Sequence, residues 1–246
     1  MNKLALYTGV DLLFEKNFFI HQPTIKEISK MFSESDFMSV LQVCIKDTDS
    51  FKMQSPNINN LIIFYALMAT PDLVSEDIKD NVRRFLNCLF PDCEIKFLEQ
   101  GLVLCKKDSK DILILDNDKF TQFQSILKEM FCTAQLFSEK DEKEEEEFNP
   151  IDERAKAIAE LINKNRKKVA DTKAQHFKDT SLIGNYLEIL SVGMGIPISE
   201  LIKNTLFQLL KIFHRFSDKQ SFDIDFKCRL AGAKGDQPLK SWMTSS

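Results

Sequence analysis

The chain offers few residues that could do chemistry. Its three histidines, His21, His176 and His214, stand apart, and none has a second ligand at the i+3 or i+4 spacing that would make a zinc motif. The segment Gly193-Met-Gly195 is a lone G-x-G without the strand that precedes a phosphate-binding loop. A nucleophile elbow and a P-loop are also missing from the sequence. We therefore expect a non-enzymatic protein that uses no metal and no cofactor.

Cysteine usage and hydropathy predict the setting of the protein. The cysteines form no C-x-x-C pair, and most lie in apolar runs, where a reduced thiol behaves as a small hydrophobic group. Asp11 and Glu15 interrupt the apolar core that a secretory signal would need. The longest apolar run, residues 61–69, is too short to span a bilayer. We expect a soluble protein of a reducing cytoplasm, without a membrane partner. The cysteines are Cys44, Cys88, Cys93, Cys105, Cys132 and Cys228.

A basic stretch is the main candidate contact for an acidic partner. Residues 152–178 hold eight basic and four acidic side chains, a net charge of 8 − 4 = +4. Such a stretch could contact nucleic acid or an acidic protein. However, no aromatic residue lies within its densest part to stack on bases, and the whole chain carries a net charge of −4. We favour a solvated helix face and do not expect nucleic-acid binding. The candidate contact residues are Lys164, Arg166, Lys167 and Lys168.

An acidic run immediately before this stretch divides the chain. Residues 138–147 hold seven acids and two lysines, a net charge of 2 − 7 = −5, and no apolar side chain. Such a segment cannot bury enough apolar surface to offset the entropy of ordering it. We predict an acidic linker over residues 138–148. It would join an α+β domain, residues 1–137, to an all-α domain, residues 149–246.

The N-terminal domain is predicted to be mixed α+β. Residues 4–20 alternate loosely and indicate one or two strands with a turn near Gly9. Thr24 and Glu27 have the spacing of a capping box and begin a helix. Alternation over residues 93–115 predicts a three-stranded antiparallel meander. Further helices are predicted at residues 37–45, 57–69, 75–89 and 119–132, the last capped from Asp116 or Asn117.

The C-terminal domain is predicted to be purely helical. Asn149 and Pro150 form a strong helix start, and apolar residues then follow at coiled-coil-like spacing. Helices are also expected at residues 181–190 and 199–203, and from a second capping box at Thr205 and Gln208. Trp242 could dock on this domain or serve as an anchor for another protein. The residues that we expect to shape a partner-binding surface are Ile158, Ile162, Phe213, Phe216 and Trp242.

The arrangement of the chain resembles a group of tailed-bacteriophage proteins usually classed with the tail assembly chaperones. The resemblance lies in patterns of helix starts and small residues rather than in catalytic signatures. It covers the beginning of the chain and most of its C-terminal third. The matching segments are residues 19–28, 149–155, 197–210, 222–225 and 231–234, together with Trp242 and Met243.

This resemblance implies a non-enzymatic protein of the host cytoplasm that binds the long helical tape measure protein and assists assembly of the tail tube protein. The implied mechanism is helix-on-helix binding that shields apolar helical surface before the tube polymerises. Two other interpretations stay open: a structural or connector protein of the phage tail, and a nucleic-acid-binding regulator that uses residues 164–168. An oligomer is compatible with each of them.

Overall fold

The computed structural model describes residues 3–48, 58–70, 73–98, 101–137, 181–230 and Met243. The fold is α+β, as predicted, with a helical C-terminal region. Its elements up to residue 137 are α1 (Lys3–Thr8), β1 (Leu12–Glu15), β2 (Phe18–Ile20), α2 (Ile25–Met31), α3 (Glu34–Ile45), α4 (Asn60–Ala69), α5 (Glu76–Leu89), β3 (Cys93–Leu98), β4 (Gly101–Lys106), β5 (Ile112–Leu115), α6 (Asn117–Met130) and α7 (Thr133–Leu136). The C-terminal elements are α8 (Leu182–Met194), α9 (Ile198–Leu201) and α10 (Leu206–Leu230).

The strand prediction for residues 4–20 is wrong over its first part, because Lys3–Thr8 forms the helix α1. The turn predicted near Gly9 is present, with a φ of 70° at Gly9, but it follows α1 instead of joining two strands. Within this segment, β1 and β2 pair as an antiparallel hairpin whose turn lies at Lys16 and Asn17. Apolar alternation in so short a segment fits one turn of helix as well as a strand.

Distant side chains satisfy the backbone of α1. The buried amide of Gln22 donates a hydrogen bond to the carbonyl of Ala5 at 2.9 Å. The amide of Gln208, on α10, donates to the carbonyl of Tyr7 at 2.8 Å. The Tyr7 carbonyl is one of those that a helix leaves without a partner, so Gln208 stabilises the end of α1 from outside. The Ala5 carbonyl already accepts from the Gly9 N–H at 2.9 Å, and Gln22 adds a further hydrogen bond to it.

Local capping signals fix the starts of the longer helices. The capping box at Thr24 and Glu27 is confirmed, with the Glu27 carboxylate accepting from the Thr24 N–H at 2.8 Å. The same arrangement holds at the start of α10, where the Thr205 N–H donates to the Gln208 side chain at 2.8 Å. Asp116 caps α6 by accepting from the Lys119 N–H at 3.0 Å. Each cap satisfies an N–H group that the helix itself cannot pair.

The three-stranded antiparallel meander is confirmed, in the order β3-β4-β5. Val103 on β4 lies opposite Lys96 on β3 and Ile114 on β5. Strand residues alternate between faces, and the inner face is buried through residues such as Leu104 and Leu113. The sheet therefore packs on the core by one face only.

Phenylalanine dominates the interior. Edge-to-face packing is exemplified by Phe37 and Phe131, whose ring centroids lie 5.5 Å apart. Such pairs add about 0.5–1.5 kcal/mol beyond their buried area. The fully buried phenylalanines include Phe37, Phe64, Phe85, Phe90, Phe120, Phe123 and Phe131.

The same core continues into the C-terminal helices, which dock on the N-terminal part. Leu187 and Leu190 of α8 and Leu206, Leu209 and Leu210 of α10 belong to one buried cluster with the residues above. In the described ranges, no helix is both long and apolar enough to cross a membrane. The predicted linker, residues 138–148, lies outside the described residues, and the domain boundaries stay predictions.

Candidate partner-binding surface

Backbone groups at helix ends position the C-terminal helices. The Ile25 N–H donates to the carbonyl of Asn204 at 3.0 Å, and the Lys26 N–H donates to the carbonyl of Ile202 at 2.9 Å. Both donors belong to the first turn of α2, where N–H groups have no partner within the helix. The residues that follow α9 therefore supply acceptors for N–H groups that α2 cannot pair by itself.

A carboxylate at the start of α3 accepts hydrogen bonds from the first N–H groups of α8. Glu34 accepts hydrogen bonds from the N–H groups of Leu182 at 2.7 Å and Ile183 at 3.3 Å, and from the Ser181 hydroxyl. Its negative charge lies at the positive end of the α8 dipole. We call this arrangement the Glu34 cap. It joins residues almost 150 positions apart in the chain and fixes where α8 begins.

Four exposed apolar residues lie within ten positions of the sequence, where α8 ends and α9 begins. We call them the helical patch: Ile189, Val192, Met194 and Ile198. Val192 is 87% exposed and Met194 is 45% exposed. Single exposed apolar residues are ordinary, but several so close together in the sequence make this segment a candidate interaction site.

The sequence builds the patch through a glycine-terminated helix. Gly195 adopts a left-handed conformation with φ 68°, which ends α8 at little steric cost. Pro197 follows and leads directly into α9. The connection between the two helices is therefore only three residues long, and apolar residues on both sides of it are exposed.

Close helix packing lies directly beneath the patch. A Cβ added at Gly193 would lie 2.2 Å from Cζ of Phe216, so the Phe216 ring of α10 packs directly on the backbone of α8 at this position. One turn or two earlier on α8, the rings of Tyr186 and Phe213 lie with centroids 4.5 Å apart. The end of α8 is thus held against the middle of α10.

The apolar surface continues along α10. The rings of Phe222 and Phe226 stack with centroids 6.1 Å apart and an interplanar angle of 7°. Leu230 follows at the same i+4 spacing and is 73% exposed. We call Phe222, Phe226 and Leu230 the α10 stripe. At 1.5 Å per residue, the stripe begins about 9 Å beyond Phe216 and hence beyond the helical patch.

The predicted partner-binding residues fall in different places. Phe213 and Phe216 are half-buried and pack against the core, beneath the patch rather than on it. Their role in partner binding stays a prediction. The others lie outside the described residues: Ile158, Ile162 and Trp242, and the basic residues Lys164, Arg166, Lys167 and Lys168.

Sequence reasoning missed the helical patch. The signal was present, because apolar residues alternate with Ser, Gly and Pro from Ile189 to Ile198. The spacing of Gly193 and Gly195 draws attention to phosphate binding instead, and the predicted helix over residues 181–190 stops before most of the patch. When an apolar run continues past the end of a helix, its residues no longer share one helical face that could be buried.

Among the described residues, the titratable side chain of His21 lies between two carboxylates. His21 Nδ1 lies 2.9 Å from Oδ1 of Asp11, and its Nε2 lies 3.6 Å from Oε2 of Glu27. Burial alone would raise the pKa of Glu27, but hydrogen bonds from Thr24 and the neighbouring His21 outweigh it and leave the pKa lowered. In the described ranges, no group of three or more His, Cys, Asp or Glu side chains could hold a metal ion.

Two of the described thiols, Cys44 and Cys88, are poor nucleophiles. Burial raises the pKa of Cys44 to about 12. Burial, together with the charge of Glu27, raises the pKa of Cys88 to about 11. A thiol with so high a pKa is protonated at neutral pH, and only the thiolate attacks. Cys44 and Cys88 are therefore packing residues.

The comparison with known families bears on the part of the chain that carries this surface. Residues 173–246 match the family model of the YomV second domain. This family is phage-derived, so the match suggests a phage protein. The matched residues include α8, α9 and α10, and therefore both the helical patch and the α10 stripe. No curated protein and no solved structure matches the chain.

Proposed function

We propose that the protein is a non-enzymatic phage assembly factor that binds an apolar helix of a partner protein on the helical patch and the α10 stripe. The observation that carries the proposal is the exposure of Ile189, Val192, Met194 and Ile198 on a capped, well-packed scaffold. An amphipathic partner helix binds such a surface through its apolar residues at positions i, i+3, i+4 and i+7. Covering each side chain fully would contribute about 1.5–3 kcal/mol.

An ion pair on α10 lies close in sequence to the α10 stripe. Asp225 and Arg229 form an ion pair at 3.1 Å beside the α10 stripe. Interfaces of this kind combine an apolar centre with a polar rim, and the rim sets orientation more than affinity. An extended apolar helix would lie along the stripe and end on the patch.

Within phage assembly, we propose that the partner is the tape measure protein and that the protein acts as a tail assembly chaperone. Two considerations support this choice: the resemblance of the sequence to tail assembly chaperones, and the match of residues 173–246 to a phage-derived family. A long helical tape measure exposes apolar faces before the tube forms around it. A chaperone that covers these faces lowers their tendency to aggregate.

The test is co-purification of the full chain with the tape measure protein from the same phage. Val192→Asp and Phe226→Asp place a charge on the exposed surface and should each weaken binding at least tenfold, since a buried charge without a partner is costly. The matched control is Leu13→Asp, an exposed apolar residue on the outer face of the β1–β2 hairpin. It should bind as the unmodified chain does.

Two results would count against this function. Unchanged binding of both Val192→Asp and Phe226→Asp, with folding verified by circular dichroism, would remove the surface from the mechanism. A stoichiometric amount of the protein in purified virions would favour a structural or connector role in the tail, because a chaperone leaves before the particle is complete.

A further inference from the structure

The strand β5 presents an open, apolar sheet edge. It pairs with β4 on one side, and no other described strand pairs with its second side. Its two outward-facing side chains are both isoleucines: Ile112 is 64% exposed and Ile114 is 44% exposed. Soluble proteins usually protect such an edge with charge, proline or a covering element.

The opposite edge of the same sheet is protected in the usual way. The outer face of β3 carries Glu94 and Lys96, whose charged atoms lie 3.4 Å apart. Charged side chains on an edge strand disfavour pairing with another chain. The sheet therefore has one protected edge and one that can accept a further strand.

The alternation of hydrogen-bonded and non-hydrogen-bonded pairs between β4 and β5 shows which backbone groups of β5 could pair with a further strand. The Lys106 N–H donates to the Asp111 carbonyl at 3.0 Å, so these two residues form a hydrogen-bonded pair. Hydrogen-bonded and non-hydrogen-bonded pairs alternate along an antiparallel ladder. The N–H and C=O groups of Ile112 and Ile114 consequently point away from β4, toward the open edge.

The sequence of this strand complements itself. It has the order Lys110-Asp-Ile-Leu-Ile-Leu-Asp116, with a base at one end, an acid at the other, and Asp111 followed by four apolar residues between them. In an antiparallel pairing with a second copy about Leu113, Ile112 lies opposite Ile114, and Lys110 lies opposite Asp116. The same register pairs the backbone groups that β4 leaves unused. Lys110 is exposed, and Asp116 has extended backbone.

We propose that two copies of the chain associate through β5, antiparallel about Leu113, and join their sheets into one six-stranded sheet. Two Lys110–Asp116 contacts and two Ile112–Ile114 pairs select the register. The association goes beyond the proposed partner-binding role and uses none of its residues, so each can fail without the other.

The first test is the mass of the full chain by light scattering over a concentration series at low salt. A concentration-dependent dimer is expected, and Ile114→Lys should abolish it by bringing charge into the joined edge. Lys110→Glu replaces two attractive contacts by repulsive ones and should weaken the dimer about tenfold, with a smaller effect at high salt. Leu13→Lys, on the hairpin, is the control and should leave the dimer intact.

The second test fixes the register by cysteine cross-linking in a Cys105→Ala background, since Cys105 is the neighbour of Ile112 on β4. An equimolar mixture of Ile112→Cys and Ile114→Cys chains should cross-link to a dimer under mild oxidation, whereas each variant alone should cross-link far less. A chain that stays monomeric at every concentration overturns the proposal. So does a dimer that Ile114→Lys leaves unchanged, or cross-linking of the single variants equal to that of the mixture.

Discussion

Replacing Glu34 by alanine should loosen the attachment of α8 and lower the stability of the whole protein. The substitution removes an acceptor for two backbone N–H groups and the Ser181 hydroxyl. Loss of a helix cap typically costs about 1 kcal/mol, and loss of a favourable charge at a helix N-terminus costs about 0.3–1 kcal/mol. Because Glu34 is half-buried and serves three donors, we expect Glu34→Ala to lower the free energy of unfolding by about 2 kcal/mol. Glu34→Gln, which keeps one acceptor oxygen, should cost roughly half as much.

Urea denaturation followed by circular dichroism measures the effect, and the melting temperature should fall by about 4–8 °C in a protein of this size. Hydrogen exchange should also speed up in the first turn of α8. Asp77→Ala is the control, since Asp77 is an exposed acid in the first turn of α5. If Glu34→Ala and Asp77→Ala are equally stable, the long-range cap contributes nothing, and the reasoning is refuted.

Three further outcomes follow from the packing and the pKa shifts. Gly193→Ala should lower stability by about 1 kcal/mol in thermal unfolding, since overpacking against the Phe216 ring costs about 1–3 kcal/mol and alanine returns roughly 1 kcal/mol of helix propensity. The lowered pKa of Glu27 stabilises the fold above its ordinary pKa, so stability should drop as the pH falls from about 5 to about 3. Glu27→Gln, which keeps the cap without titrating, should flatten that dependence in urea titrations. Cys44, with a pKa raised to about 12, should resist alkylation at pH 8 until the protein unfolds, as read by peptide mass spectrometry.

A specific result would contradict each of these predictions. A Gly193→Ala protein as stable as the parent would show that the Phe216 ring moves aside at no cost. An identical pH dependence in Glu27→Gln would assign the acid sensitivity to another carboxyl group. Rapid labelling of Cys44 in the folded protein would mean that the core around α3 opens readily.

Local signals in the sequence were enough to predict much of the fold. The residue pairs Thr24–Glu27 and Thr205–Gln208 have capping-box spacing, and both boxes form. The meander was visible because strand alternation and turn residues lie within about 25 consecutive positions. Interactions between near neighbours in sequence leave a pattern that can be read without the rest of the chain.

What the sequence could not show depends on partners far along the chain. The helix α1 accepts hydrogen bonds from Gln22 and from Gln208, and Gln208 lies on the C-terminal helix α10. Likewise, nothing in the spacing around Glu34 indicates that its carboxylate begins a helix almost 150 residues later. The helical patch was missed for a related reason, since exposure is a property of the finished packing rather than of the run of residues.

The hydrogen bonds between α2 and the chain after α9 set an order of events during synthesis. The N–H groups of Ile25 and Lys26 can pair with the carbonyls of Asn204 and Ile202 only after the ribosome has added these residues, roughly 180 positions later. At about 5–20 residues per second, that interval lasts roughly 10–35 s. Throughout it, the N-terminal residues of the shared core lack the apolar side chains that α8 and α10 contribute to that core. A shortened message that ends before α8 should therefore yield a protein that is more prone to aggregate than the full chain.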